Sequence, residues 1–212
     1  AIDSATYKIL QPYKVQHDKE MNEVLVECEE ALKKDQPEGA LGDFVAESVM
    51  DYVKSYYKDS SIKADIVLLN NGGLRVELPQ GEITKGKVFE LMPFDNQVVL
   101  VDLDGSSFYT LMTFISEKGG MPVAGLRMEI DAKKKPVNVS INSVPMDTTR
   151  HYTVITSDYL AEGGDNMAFM KKANKKYTGL LLRNVLLDRC RQIKKEGKTI
   201  SVKTDGRISF SK

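Results

Sequence analysis

Apolar side chains recur at intervals of three and four residues over residues 41–57, which predicts an amphipathic helix. The same spacing predicts helices over residues 166–173 and 180–193. A fourth helix is expected to open at Gly105-Ser106-Ser107, with a serine as its N-terminal cap. A small helix or turn is expected over residues 84–92.

Short apolar runs and alternating apolar and polar positions predict strands. These predicted strands cover residues 66–69, 98–103, 126–130, 137–141, 152–156, 199–202 and 207–210. Helices and strands follow one another without strict alternation, and this pattern favours a layered α/β or α+β fold. At 212 residues the chain is long enough for one large domain with a sizeable core, and we expect that domain to span residues 1–212.

The N-terminal part of the chain is harder to assign. Residues 7–15 are expected to be extended and interrupted by Pro12. Residues 18–34 carry apolar positions that fit a helical stripe, but Val24-Leu25-Val26 also suits a strand, so both assignments stay open. Cys28 and Cys190 lie in apolar patterns, where buried free thiols are expected.

Charge balance excludes some function classes. The chain has 30 basic and 30 acidic residues, so no long-range field favours nucleic acid or a membrane surface as a partner. No apolar run approaches the roughly 20 residues that a membrane-spanning helix needs. The sequence begins at Ala1 without a hydrophobic leader, and we expect a mature form from which a signal peptide has been removed.

The segment from Ser157 to Asp165 carries the most specific chemistry. Tyr159 lies six residues before Asp165, and Gly163-Gly164 directly precede the acid. Glycines allow a tight turn that could aim both side chains at one small volume. A flat aromatic face beside a carboxylate suits a heterocycle with N–H groups, such as a nucleobase. The alternative is a surface turn above a half-buried tyrosine, and on this segment alone the alternative is the commoner case.

Three further motifs change that weighting. They are Asn70-Asn71-Gly72-Gly73-Leu74-Arg75 after one predicted strand, Pro93-Phe94-Asp95-Asn96 before another, and Asp205-Gly206-Arg207-Ile208-Ser209-Phe210 near the end. In this order and at these separations, the four motifs resemble the C-terminal domain of the 5′-nucleotidase family, which includes periplasmic UDP-sugar hydrolases and ecto-5′-nucleotidases. The resemblance runs from about residue 7 to residue 210. It implies a layered α-β-β-α fold, with a short strand near residues 24–28 after a short helix.

The resemblance also implies a substrate-binding set, which comprises Asn70, Gly72, Gly73, Arg75, Phe94, Asn96, Tyr159 and Asp165. Two aromatic rings in this set would sandwich the base. Base stacking contributes about 1–3 kcal/mol per base in nucleic-acid systems and tolerates different bases. Asn96 would read the base edge, and Asp165 would contact polar groups of the nucleoside. Asn70 and Arg75 would hold the ribose and the phosphate side. A guanidinium suits phosphate because it can donate two hydrogen bonds to it.

Two departures from the family pattern bear on the phosphate. Residues 36–43 contain no arginine, and Asp43 replaces the usual asparagine. Asp95 replaces the usual glycine after Phe94 and adds a negative charge beside the expected site. With Arg75 as the remaining cation there, we expect weak phosphate binding and a preference for nucleosides over nucleotides.

Hydrolysis in this family takes place in a separate N-terminal metallophosphoesterase domain with a two-metal cluster. This chain has only His17 and His151, and neither lies in a metal-ligand motif. We therefore expect no catalytic residue, metal ligand or cofactor in this chain, and divalent metals only in the catalytic domain that it lacks. The favoured function is the substrate-specificity domain of a 5′-nucleotidase, serving a metallophosphoesterase domain or partner chain in the periplasm or outside the cell. The alternatives are a free-standing nucleoside- or nucleotide-binding protein and a degenerate interaction module.

Overall fold

The computed structural model describes residues 4–58 and 63–211, with side chains described from Leu10 onward. Its helices are α1 Ser4–Met21, α2 Ala40–Tyr56, α3 Lys85–Leu91, α4 Gly105–Glu117, α5 Asp158–Ala161 and α6 Leu182–Lys195. Its strands are β1 Val24–Cys28, β2 Ile66–Leu68, β3 Gly81–Thr84, β4 Gln97–Leu103, β5 Val123–Ala124, β6 Leu126–Ile130, β7 Pro136–Ile141, β8 Val144–Pro145, β9 Tyr152–Ser157, β10 Asn174–Leu181 and β11 Ile208–Phe210. None of the helices in these ranges combines the length and the apolar character needed to cross a bilayer.

The strand order of the central sheet brings several strand ends to one edge. The order is β10-β4-β9-β2-β5, with β2 and β9 parallel and β4 antiparallel to β9. Val98 at the start of β4 pairs with Ser157 at the end of β9, and Gln97 pairs with Leu181 at the end of β10. The loops that follow β2 and β9 and the loop that precedes β4 therefore meet at this edge, which we call the pocket edge.

The central sheet is buried on both faces. Residues of β4 alternate between two apolar clusters, because successive side chains of a strand point to opposite faces. Val98 and Leu100 pack with α2 and α6, whereas Val99 and Val101 pack with α4 and with the second sheet, whose order is β11-β6-β7-β8. The fold is thus a layered arrangement of helices and sheets, and the predicted mixed α/β class is confirmed.

Most predicted elements in the middle of the chain are present, and the two cysteines are free and buried as expected. The prediction for residues 7–15 is wrong, because they lie in helix α1, which continues through Pro12. This helix is exposed from Leu10 to Glu20, so its polar residues form no apolar stripe that could have indicated it. Strand β1 confirms the strand expected near residues 24–28.

Four local predictions need correction. Asp104, one residue before the predicted start, caps α4 by accepting a hydrogen bond from Ser107 N at 2.7 Å, so the cap is an aspartate and not a serine. Residues 166–173 form short 3₁₀ turns and not one helix, because Asp165 and Asn166 have positive φ angles of 52° and 71°. Residues 174–181 form an edge strand, β10, where the sequence pattern predicted only a helix from residue 180. Residues 199–202 form only an isolated bridge to Cys28, because Ile200 alone among them is buried.

Candidate functional site

A pocket of about 410 Å³ opens at the pocket edge of the central sheet. Its lining consists of Asn70, Gly72, Gly73, Arg75, Phe94, Asn96, Tyr159 and Asp165. The structure therefore brings together every residue of the substrate-binding set proposed from the sequence, although these residues come from three separate loops. The convergence follows from the strand order, since each loop joins a strand end at this edge.

Two aromatic rings open into the pocket and not into the core. Phe94 is 52% exposed and Tyr159 is 48% exposed, whereas most large apolar side chains of the fold are buried. The guanidinium carbon of Arg75 lies 5.9 Å from the centroid of the Phe94 ring, which places a cation near that ring. Half-exposed rings around a concave surface are a suitable platform for a flat apolar ligand.

The ring of Tyr159 lies on the glycine turn before Asp165. A Cβ atom added to Gly164 would lie 2.5 Å from two ring carbons of Tyr159, so the ring packs directly on this glycine. The Tyr159 hydroxyl donates a hydrogen bond to Asp165 Oδ1 at 2.8 Å and accepts one from Asp165 N at 3.3 Å. The Cε1–Cζ part of the ring thus contacts the turn, and the orientation of the ring is held at the hydroxyl. Gly164 is required at this position because the Tyr159 ring leaves no room for a side chain.

Asn70 is oriented by the same acid. Its Nδ2 atom donates a hydrogen bond to Asp165 Oδ2 at 2.9 Å. A Cβ atom added to Gly73 would lie only 2.8 Å from Asn70 Oδ1, whereas one added to Gly72 would make an ordinary contact of 3.5 Å with Asn70 Nδ2. The second glycine of the 3₁₀ turn Asn71–Gly73 is therefore needed to leave room for the asparagine side chain.

Asn96 is held by Asp158, a residue that the sequence analysis did not single out. Asn96 Nδ2 donates a hydrogen bond to Asp158 Oδ1 at 2.8 Å, and the same oxygen accepts a hydrogen bond from Tyr159 N at 2.8 Å. The backbone oxygen of Asn96 accepts a hydrogen bond from Leu182 N at 2.9 Å, at the start of α6. The sequence offers one signal for this role, since Asp158 directly precedes the aromatic residue Tyr159. An acid at this position is otherwise typical of the first turn of a helix.

Arg75 keeps its charge available on the rim of the pocket. Its backbone nitrogen donates to Leu91 O at 2.8 Å, and its Nη1 atom donates a long hydrogen bond of 3.4 Å to Gly72 O. Among residues 10–58 and 63–211, no carboxylate forms an ion pair with this guanidinium. It is therefore the cation that an anionic ligand group in the pocket would meet.

The predicted effect of Asp95 on the pocket needs correction. Asp95 does not line the pocket, and its carboxylate forms an ion pair with Arg183 Nη2. Arg183 also donates to Met92 O at 3.1 Å and lies 4.3 Å from the centroid of the Phe89 ring. This mostly buried guanidinium offsets the charge of Asp95, so the expected repulsion of a bound anion lacks its structural basis.

The terminal motif and the 36–43 stretch meet away from the pocket. Arg207 lies 2.5 Å from Glu47 Oε1, 3.0 Å from Asp205 Oδ1 and 3.4 Å from Asp43 Oδ1, and it borders a separate cavity of about 340 Å³. Burial raises the pKa of Asp43 to about 8, even though Arg207 lowers it. The carboxylates of Glu38 and Glu47 raise this pKa further. Arg207 thereby links the C-terminal strand to α2 and does not belong to the pocket.

The two histidines pair with neighbouring acids. His17 Nδ1 lies 3.5 Å from Asp18 Oδ1, and His151 Nδ1 lies 3.1 Å from Asp102 Oδ2, both at exposed positions. Within the described part of the chain, no group of three or more histidines, cysteines, aspartates and glutamates has a geometry that could hold a metal ion. These residues do not fit a two-metal cluster.

Sequence comparisons show a similarity to proteins of the 5′-nucleotidase family. Residues 22–172 match the family model described as 5′-nucleotidase, C-terminal domain. The trifunctional nucleotide phosphoesterase protein YfkN of Bacillus subtilis is 28% identical over 184 residues, which cover 79% of this chain and 12% of that protein. A 5′-nucleotidase of Vibrio parahaemolyticus is 27% identical over 176 residues, which cover 77% of this chain and 29% of that protein.

Solved structures agree with this placement. A 5′-nucleotidase precursor from Thermus thermophilus superposes with a TM-score of 0.79 at 26% identity, over 97% of this chain and 43% of that one. The NAD nucleotidase of Haemophilus influenzae shares the fold, with a TM-score of 0.75 at 19% identity. The chain spans less than half the length of each of these proteins.

Proposed function

The chain belongs to the family of 5′-nucleotidase C-terminal domains, and we propose that it is the substrate-specificity domain of a 5′-nucleotidase, which binds the nucleoside part of a nucleotide. The observation that carries this proposal is the pocket of about 410 Å³, whose lining combines two half-exposed aromatic rings with two asparagines, an acid and an arginine that has no ion pair among the described residues. Such a lining suits a ligand with a flat base at one end and polar groups at the other.

Each side chain has a role that follows from its position. Phe94 and the open face of Tyr159 would stack on the two sides of a base. Asp165 and Asn70 would meet the ribose hydroxyls, because they already form one hydrogen-bonded pair beside the tyrosine ring. Arg75 would lie on the phosphate side, where a guanidinium can donate two parallel hydrogen bonds to phosphate oxygens.

The chemistry of hydrolysis would come from elsewhere. The relatives named above extend well beyond the matched segment, and we propose that a metallophosphoesterase domain or partner chain supplies the metal ions and the attacking water. The residues of this chain would bind and orient the nucleoside end. We propose the periplasm or the cell exterior as its location, in line with the family resemblance.

Calorimetric titration with adenosine and AMP tests the proposal. Phe94→Ala should lower adenosine affinity roughly tenfold, because it removes one stacking surface worth about 1–3 kcal/mol. Arg75→Ala should lower adenosine affinity less than Phe94→Ala does, since adenosine carries no phosphate. Phe210→Ala is the matched control, because Phe210 is another exposed phenylalanine, 60% exposed, that lies in β11 and not in the pocket.

Two outcomes would contradict the proposal. The first is that neither adenosine nor AMP binds to the native chain at millimolar concentration. The second is that Phe94→Ala and Phe210→Ala bind adenosine as the native chain does.

A further inference from the structure

We propose that Asp158 determines the base preference of the pocket by fixing the orientation of Asn96, so that the site selects bases with an amino group over the corresponding oxo bases. The inference rests on the proposed nucleoside binding and specifies its substrate class. Asp158 does not line the pocket, so it would act through Asn96 as a positioning residue.

The chemistry of the pair decides which atom of the Asn96 amide faces the ligand. Asn96 Nδ2 lies 2.8 Å from Asp158 Oδ1. An ionised carboxylate accepts hydrogen bonds and donates none, so the amide nitrogen and not the amide oxygen must face it. Asn96 Oδ1 then lies on the other side of the amide, and within the described ranges no donor forms a hydrogen bond with it. This oxygen is the acceptor left for a ligand in the pocket that Asn96 lines.

The orientation is held at several points. Asp158 Oδ1 also accepts a hydrogen bond from Tyr159 N at 2.8 Å, which fixes the carboxylate at the start of α5. The backbone of Asn96 is fixed by the hydrogen bond from Leu182 N at 2.9 Å. Rotation of the amide by 180° would bring its oxygen against the carboxylate oxygen and lose the hydrogen bond, which is costly for a half-buried pair.

The pair Asn70–Asp165, which we place beside the ribose, shows the same arrangement. Asn70 Nδ2 is used by Asp165, and Asn70 Oδ1 lies over Gly73. Each carboxylate thus accepts a hydrogen bond from one asparagine amide group, and the side-chain oxygens of both asparagines form no hydrogen bond with these carboxylates. At the base edge, the free oxygen of Asn96 favours a ligand atom that donates a hydrogen bond and disfavours one that presents another lone pair.

Three purine ribosides that differ at position 6 test this inference directly. Adenosine carries a donor there and an acceptor at N1, purine riboside carries hydrogen at position 6, and inosine carries an acceptor at position 6 and its donor at N1. Inosine could therefore meet Asn96 Oδ1 only with its edge shifted by one atom. We expect the native chain to bind adenosine most tightly and inosine most weakly, with roughly a fivefold difference between them, as for one hydrogen bond. Equal or tighter binding of inosine overturns the inference but leaves the proposed function standing. Absence of binding for all three overturns the proposed function itself.

Variants of Asp158 test the mechanism. Asp158→Ala should reduce the adenosine-to-inosine preference to less than about twofold, because Asn96 can then turn its nitrogen to the ligand. Asp158→Asn should restore the preference, since its carbonyl oxygen can accept both hydrogen bonds. A purely structural role would lower all three affinities in proportion. An unchanged preference in Asp158→Ala overturns the assignment.

Asp104→Ala is the matched control for these variants. Asp104 also accepts a backbone hydrogen bond at a helix start, but it lies at the opposite end of β4, roughly 20 Å from the pocket edge. It should keep the native preference. The comparison of adenosine with inosine on the native chain needs no variant and decides the inference even if Asp158→Ala does not fold.

Discussion

Single side chains in the pocket are positioned by neighbours that the sequence pattern does not reveal. The pocket residues could be named from three of the four short motifs, because family resemblance and residue chemistry point to the same positions. Their partners could not, since Asp158 and Arg183 are distant in sequence from Asn96 and Asp95 and meet them only through the fold. For the same reason, the expected repulsion by Asp95 left out its ion pair with Arg183.

Asp95→Gly should therefore change the AMP-to-adenosine affinity ratio by less than about twofold, because Arg183 already offsets the charge and solvent screens it further. The free energy of unfolding should fall by about 1 kcal/mol, because the mostly buried Arg183 loses its carboxylate partner. Calorimetry with both ligands and urea unfolding measure the two effects. Arg75→Ala serves as the comparison, since it should lower the ratio. A several-fold improvement of AMP over adenosine in Asp95→Gly would restore the repulsion idea.

Among the secondary-structure elements, prediction succeeded where burial leaves a periodic pattern. Helix α2 and strands β2 and β4 bury one or both faces, and their apolar spacing indicated them within about a residue. Helix α1 is exposed from Leu10 to Glu20, strand β10 has no fully buried side chain, and both are rich in polar residues, so packing leaves no periodic signal in them. Strand β10 is defined by its pairing with β4 and not by its local sequence. The pattern of apolar residues within one segment does not show with which distant strand that segment pairs.

The turn Asn71–Gly73 offers a matched pair of substitutions. Gly73→Ala should weaken adenosine binding roughly tenfold, because the new Cβ would lie 2.8 Å from Asn70 Oδ1 and displace the asparagine from Asp165. Gly72→Ala should have a much smaller effect, since its Cβ would make only a 3.5 Å contact. Both glycines line the pocket, so titration of the two variants isolates the position of Asn70. Equal losses in both would show that general backbone strain, and not Asn70, is responsible.

The link between α2 and β11 should make stability depend on pH. The ordinary pKa of Asp43 is 3.8, and its pKa in the folded chain is about 8. Between these values the folded state keeps a proton that the unfolded chain has released, so this group's contribution to stability is lost as pH rises from about 4 to 8. Asp43→Asn, which restores the residue usual in the family, removes the titration.

Urea unfolding at pH 5 and pH 8 measures this contribution. The difference in free energy of unfolding between Asp43→Asn and the native chain should shift in favour of the variant when the pH is raised from 5 to 8. Asp51→Asn, on an exposed position of the same helix, should follow the native pH dependence. Parallel curves for Asp43→Asn and the native chain would contradict the assignment of the proton to Asp43.

On the scale of the whole molecule, the strand order of the central sheet assembles the pocket. The parallel pair β2 and β9 and the antiparallel strand β4 bring three loops to one edge. The layered class could be predicted from the mixture of helical and strand patterns. The strand order could not be predicted from that pattern, because it depends on which buried faces pack together once the chain has collapsed.

The isolated chain should not hydrolyse nucleotides. The described residues offer no group that could hold a metal ion, and phosphoryl transfer by this family's chemistry needs two. Pure protein incubated with AMP and Mn²⁺ should release no more phosphate than buffer does, while a full-length 5′-nucleotidase in the same assay provides the positive control. Steady phosphate release in proportion to the amount of pure protein would contradict this expectation.

The most direct test of the proposed function is a crystal structure of the chain with adenosine. We predict that the base lies between Phe94 and Tyr159, about 3.5 Å from each ring plane, as stacked aromatic groups prefer. The base edge should face Asn96, and the ribose hydroxyls should contact Asp165 and Asn70. Adenosine bound at another surface, or an empty pocket at saturating adenosine, would contradict nucleoside recognition by this site.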